Sequence, residues 1–119
     1  MDENQTRSFA LFLKNQSKNL THLYVNNSID VSQSSDSVLT FLDSIKSIDN
    51  LTSLSLRSDK SSNFSFGLIL AKQLFDILSK KSLKYVDLTC QCISDVGLNS
   101  IKTVLESENN KIEELLFDG

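Results

Sequence analysis

Residues 83–105 read LKYVDLTCQCISDVGLNSIKTVL. The first six place apolar side chains at Leu83, Val86 and Leu88, and the last two of these alternate as in a strand with one buried face. From Leu98 the period changes. Leu98, Ile101, Val104 and Leu105 recur at helical spacing. Between the two patterns, Ser94-Asp95 supplies short polar side chains that can accept hydrogen bonds from the open amides of a helix start. The stretch reads as strand, turn, helix.

The strand half recurs. LTHLYV (Leu20–Val25), LTSLSL (Leu51–Leu56), LKYVDL (Leu83–Leu88) and IEELLF (Ile112–Phe117) are all apolar-x-x-apolar-x-apolar, with starts 31, 32 and 29 residues apart. Polar pairs precede them: Lys18-Asn19, Asp49-Asn50, Lys81-Ser82 and Asn110-Lys111. Helical spacing fills the intervals, with Val38, Leu39, Leu42 and Ile45 in one and Leu70, Ala71, Leu74, Phe75 and Leu78 in the next. Ser35-Asp36 marks a second helix start, and Lys80 and Lys81 fall at a helix end, where cations suit the negative end of the dipole. Phe9, Phe12 and Leu13 predict a further helix over 5–17. The order is α-β-α-β-α-β-α-β. A strand–helix unit exposes an apolar face it cannot bury alone. Stacking units in register joins the strands into a parallel sheet under an outer layer of helices. Helices are wider than strands, so such a stack bends with the strands inside.

The pattern Leu83-x-x-Val86-x-Leu88-x-x-Gln91-x-Ile93-Ser-Asp-Val-Gly97-x-x-x-Ile101-x-x-x-Leu105 resembles a leucine-rich repeat. Its length and Ser-Asp-x-Gly turn are similar to the ribonuclease-inhibitor/Ran-GAP type. The resemblance spans nearly the whole chain and is best from Leu83 to Phe117. It implies an α/β fold, a short curved solenoid or horseshoe segment of about three and a half repeats in one domain (1–119). The parallel strands would lie on the concave face and the helices on the convex one. In this family, the place of Gln91 holds an Asn or Cys that satisfies turn backbone groups. Ser28 and Asp59 occupy the equivalent places in earlier units, so the connections 26–36 and 57–66 are expected to be irregular. A rival likeness exists. SSNFSFGLILAKQL (61–74) is similar to the strand-to-helix turn of the sulfate-transporter/anti-sigma-antagonist (STAS) domain, which implies a phosphorylated Ser62 or Ser65. That fold opens on strands, however, and has no use for four matching segments.

Chemistry-bearing motifs are sparse. His22 is the single histidine, so no histidine pair is available for a metal. Three glycines, at 67, 97 and 119, build no phosphate or dinucleotide loop. Cys90 and Cys92 have one residue between them, too close for an easy disulfide. With no other thiol they make an incomplete ligand set, so they read as part of a turn. Glu106, Glu108, Glu113 and Glu114 read as a solvated acidic face. We therefore expect no catalytic residue, metal or cofactor. Net charge is −3 and the pI near 5.0, which argues against a nucleic-acid partner. No apolar run has membrane length, and the acidic start resembles no targeting peptide. Two cysteines without a secretory signal suggest the cytoplasm. Five Asn-x-Ser/Thr triplets, beginning at Asn15, Asn19, Asn26, Asn50 and Asn63, fit the Ser/Asn-rich composition better than glycosylation.

The expected function is protein–protein interaction through the concave sheet. Positions between the buried apolar residues would point out of it: His22, Tyr24 and Asn26, then Ser53, Ser55 and Arg57, then Tyr85, Asp87 and Thr89, then Glu114, Leu116 and Asp118. Strand spacing would align Tyr24, Ser55, Asp87 and Leu116 in one row and His22, Ser53, Tyr85 and Glu114 in another. Tyr and Arg are favoured interface anchors. The alternative is a structural subunit that docks by its ends, including self-association through the last strand, whose edge would be uncovered.

Overall fold

The computed structural model describes residues 1–59, 65–80 and 82–117. Helices and strands alternate as α1 (Glu3–Asn15), β1 (His22–Tyr24), α2 (Ser35–Lys46), β2 (Ser53–Ser55), α3 (Leu68–Leu78), β3 (Tyr85–Leu88), α4 (Ser94–Leu105) and β4 (Glu114–Phe117). The four strands form one parallel sheet in chain order. The fold is α/β and opens with a helix.

The repeated segments fix the register. Leu23, Leu54, Val86 and Leu115 lie side by side across the sheet. Of these, Leu23, Leu54 and Val86 are buried, as are Val25, Leu56 and Leu88 two residues on. They pack on Val38, Leu42 and Ile45 of α2, Leu70, Leu74 and Leu78 of α3, and Ile101 and Val104 of α4. Each such side chain removed from water contributes roughly 1.5–3 kcal/mol. Phe41 is sealed at the centre, its ring 6.0 Å from Phe9 and 6.1 Å from Phe66.

The parallel bonding runs past the short strands. Ahead of them, the Thr21 carbonyl accepts from Thr52 and Ser53, the Thr52 carbonyl from Lys84 and Tyr85, and the Lys84 carbonyl from Glu113 and Glu114. The polar pairs before the strands have a use. Asn50 Nδ2 donates to the Lys18 carbonyl (3.0 Å), and Ser82 Oγ to those of Asp49 (3.0 Å) and Leu51 (2.9 Å). Each side chain ties its unit to the one before.

Several local expectations are corrected. Ser34, rather than Ser35-Asp36, caps α2, its hydroxyl accepting from the Ser37 amide at 3.3 Å. At α4 no side chain caps the start, and Ser94 itself has φ 56°. α3 ends at Leu78, and Lys80 serves the neighbouring helix, donating to the Lys46 carbonyl of α2 at 2.7 Å. Burial holds the Lys80 ammonium below its ordinary pKa, with Asp49 opposing. Lys81 lies outside the described residues. Phe12, Phe75, Leu98 and Leu105 keep the helical period but are exposed. Among the described residues α1 packs on α2 alone and α4 on α3 alone, and Phe75 lines a cavity of about 370 Å³ between α3 and α4.

The first helix is anchored by its start. Asp2 and Gln5 form a reciprocal capping box, at 2.8 and 3.0 Å. The terminal ammonium donates to the Ser28 carbonyl at 2.5 Å, and Gln33 Nε2 to the Met1 carbonyl at 3.1 Å. The Ser34 hydroxyl donates to Glu3, and this bond, followed by that from Arg7, holds the Glu3 carboxyl below its usual pKa. These contacts reach the first of the two connections expected to be irregular, 26–36, which has no helix or strand before Ser35. The second, over 57–66, is described only at its ends.

Candidate functional site

The residues between the buried strand positions do align. Register places Tyr24 beside Ser55, Ser55 beside Asp87 and Asp87 beside Leu116. A second row runs His22, Ser53, Tyr85, Glu114. Tyr24, Asn26, Ser53, Ser55, Arg57, Tyr85 and Asp87 together line a depression of about 550 Å³. The middle strand contributes two serines, and the strands on either side contribute a tyrosine each. The floor is therefore low and the walls are aromatic.

The members differ in how available they are. Tyr24 is 58% exposed, and the His22 ring meets it edge-on at 6.3 Å. His22 Nδ1 also shares a 2.8 Å hydrogen bond with the Thr21 hydroxyl. Arg57 is exposed, and among the described residues its guanidinium has no carboxylate within 4.0 Å. Tyr85 is half-buried. Loss of water first, then the charges of Asp87 and Glu114, raise the pKa of its phenol; Tyr24 adds to this and Arg57 opposes it. Glu114 and Leu116 are exposed on β4.

Two expected surface residues are buried instead. Ser55 and Asp87 are each only 4% exposed. Ser55 Oγ donates to Asn26 Oδ1 at 2.6 Å, and the same oxygen accepts from the Arg57 amide at 2.9 Å. Asn26 is therefore engaged in joining the edge of β1 to β2. Asp87 Oδ1 accepts from the Thr89 amide (2.9 Å) and hydroxyl (2.5 Å), which closes the turn after β3 and occupies Thr89 as well. Backbone sterics explain the burial: row neighbours crowd a central strand on both sides, and a short side chain there is shaded by them. Asp118 and the phosphoacceptor candidate Ser62 lie outside the described residues, and Ser65 is a half-buried residue just ahead of α3.

Gln91 is fully buried. Its Oε1 accepts from the Phe66 amide at 2.7 Å, and its Nε2 donates to the Leu56 carbonyl. Both partners are backbone groups of the preceding unit. Cys90 and Cys92 flank it with φ of 63° and 52°, and no disulfide involves them. The pair is the bend that aims Gln91 inward. The earlier turn uses another residue, overlooked in the sequence. Asn27, at φ 52°, accepts from the Asp59 amide at 2.7 Å through Oδ1. Asn tolerates the left-handed region better than most residues, so the Asn26-Asn27 pair was the available signal.

Among the described residues no three His, Cys, Asp or Glu side chains cluster as a metal site, and no helix is long and apolar enough to cross a membrane. The chain matches no family model, no curated protein and no solved structure.

Proposed function

We propose that this chain is a non-enzymatic protein-binding module of the leucine-rich-repeat kind, a short solenoid in the cytoplasm whose helix-free sheet face receives a protein partner. One observation carries the reading: the depression over β1–β3, in which exposed Tyr24, half-buried Tyr85 and exposed Arg57 surround a floor of serines. Large rigid rings around a low floor suit the anchors of a protein interface. The recurring register and the side chains that tie each unit to the one before support the repeat reading. The test compares affinity capture by the native chain with capture by the Tyr24→Ala/Tyr85→Ala variant, both checked for native circular dichroism. Loss of captured partners by at least about ten-fold is expected, in line with interface hot spots worth over ~1.4 kcal/mol. An unchanged set of partners would sink the proposal.

The second reading, an assembly subunit, is favoured by β4. It is an edge strand with Leu116 and Phe117 each 40% exposed. Light scattering on the purified chain separates the two. A monomer at tens of micromolar goes against docking through β4.

A further inference from the structure

Docking through β4, the second reading above, can be given a partner, and the inference rests on that reading. We propose that the end carrying α4 and β4 docks on the end carrying α1 and β1 of a second copy of this chain, head to tail.

Apolar surface gathers at these two ends. Among the described residues, every exposed large apolar side chain except Leu68 and Phe75 belongs to the first unit, α1–β1, or the last, α4–β4. Each of these helices packs on one helix only, which leaves it a flank. On α1, exposed Phe12 stacks on half-buried Phe9 at 6.4 Å. On α4, exposed Leu98 and Leu105 are two turns apart and form one stripe. That stripe lies about a quarter turn from Gly97, whose backbone closes on Leu74 and Ala71 of α3.

The strands match as well. β1 and β4 each pair on one side only. The offset that joins successive strands, continued from β4 to β1 of the next copy, sets Leu115 beside Leu23, Glu114 beside His22 and Leu116 beside Tyr24. Each unit is a helix followed by a strand. The incoming α1 therefore takes the place over Leu115 and Phe117 that α2 holds over Leu23 and Val25.

Charge selects unlike ends over like ones. Over 3–24, Arg7, Lys14 and Lys18 outnumber Glu3, leaving +2. Over 94–117, Asp95, Glu106, Glu108, Glu113 and Glu114 outnumber Lys102 and Lys111, leaving −3. Two last units repel each other, and a last unit attracts a first. A contact between unlike surfaces does not stop at two copies, since each added copy brings a fresh end.

Sedimentation of the intact chain over a concentration series provides the test. Mass is expected to grow past the dimer, and added salt to reduce it. Phe12→Glu blocks one end and Leu105→Lys the other. Both positions are exposed, and circular dichroism checks that each variant keeps the fold. Alone, each variant should associate at least about ten-fold more weakly. Mixed in equal amounts, the two should form a heterodimer that grows no further, because each retains the end the other lacks. Association that Leu105→Lys abolishes and Phe12→Glu leaves intact, or a mixture that gives no heterodimer, would overturn the head-to-tail contact and leave docking through β4 standing. A native chain that stays monomeric at every concentration would overturn both.

Discussion

The turns after β1 and β3 solve one problem in two ways. Each must lead the chain off the parallel sheet while its neighbours' backbone groups remain paired. After β3 the solution is internal: Gln91 is buried and serves Leu56 and Phe66 of the preceding unit. After β1 it is external: exposed Asn26 and Asn27 reach forward to Arg57 and Asp59 of the following unit. A dry hydrogen bond and a wet one can look alike in geometry, yet they differ in what their loss costs. Water replaces the second at little expense and cannot reach the first.

Substitutions at the two turns should therefore rank. Gln91→Leu removes the side-chain partner of the Leu56 carbonyl and of the Phe66 amide in the core, and urea denaturation is expected to show a loss of roughly 2–6 kcal/mol, at about 1–3 kcal/mol for each orphaned group. Next comes Gly97→Ala, on the helix that follows the dry turn. A Cβ at this position would lie 2.7 Å from Ile93 Cβ and 3.2 Å from Leu74 Cδ1. Overpacking of this kind costs roughly 1–3 kcal/mol, and the better helix propensity of alanine returns no more than about 1 kcal/mol, so thermal melting should shift downward. Asn26→Ala should cost less than Gln91→Leu, roughly 1–2 kcal/mol, since of the two groups it releases only the Ser55 hydroxyl is on a buried residue and the Arg57 amide is on an exposed one. If Asn26→Ala proved as costly as Gln91→Leu in the same denaturation series, the distinction between the turns would be wrong.

The same contrast explains what could be read from the sequence. The register of all four strands was legible, because apolar-x-x-apolar-x-apolar repeats without a slip and a one-residue slip would turn every core side chain outward. Gln91 was legible too, since it stands within the best-matching unit. Burial of Ser55 and Asp87 was not. Alternation assigns a face, and it carries no information on shading by the flanking strands. Asn26 was placed correctly on the sheet face, but its hydrogen bonds to Ser55 and Arg57 depend on a neighbour 29 to 31 residues away. The exposure of Phe75, Leu98 and Leu105 was hidden for a related reason: helical period names a stripe, and the width of the stripe that is covered depends on where the adjacent helices stop.

The helices do not touch evenly along the row. α1 lies closely on α2, and α3 on α4, while α2 and α3 meet more sparingly. At that seam Lys46 bridges to Asp76 at 3.5 Å and donates to Gln73, and the Phe41 ring faces Phe66. The sheet beneath is continuous from β1 to β3, so the two helix pairs are joined by strand pairing on one side and, on the other, by a sparser seam that the polar contacts of Lys46 cross.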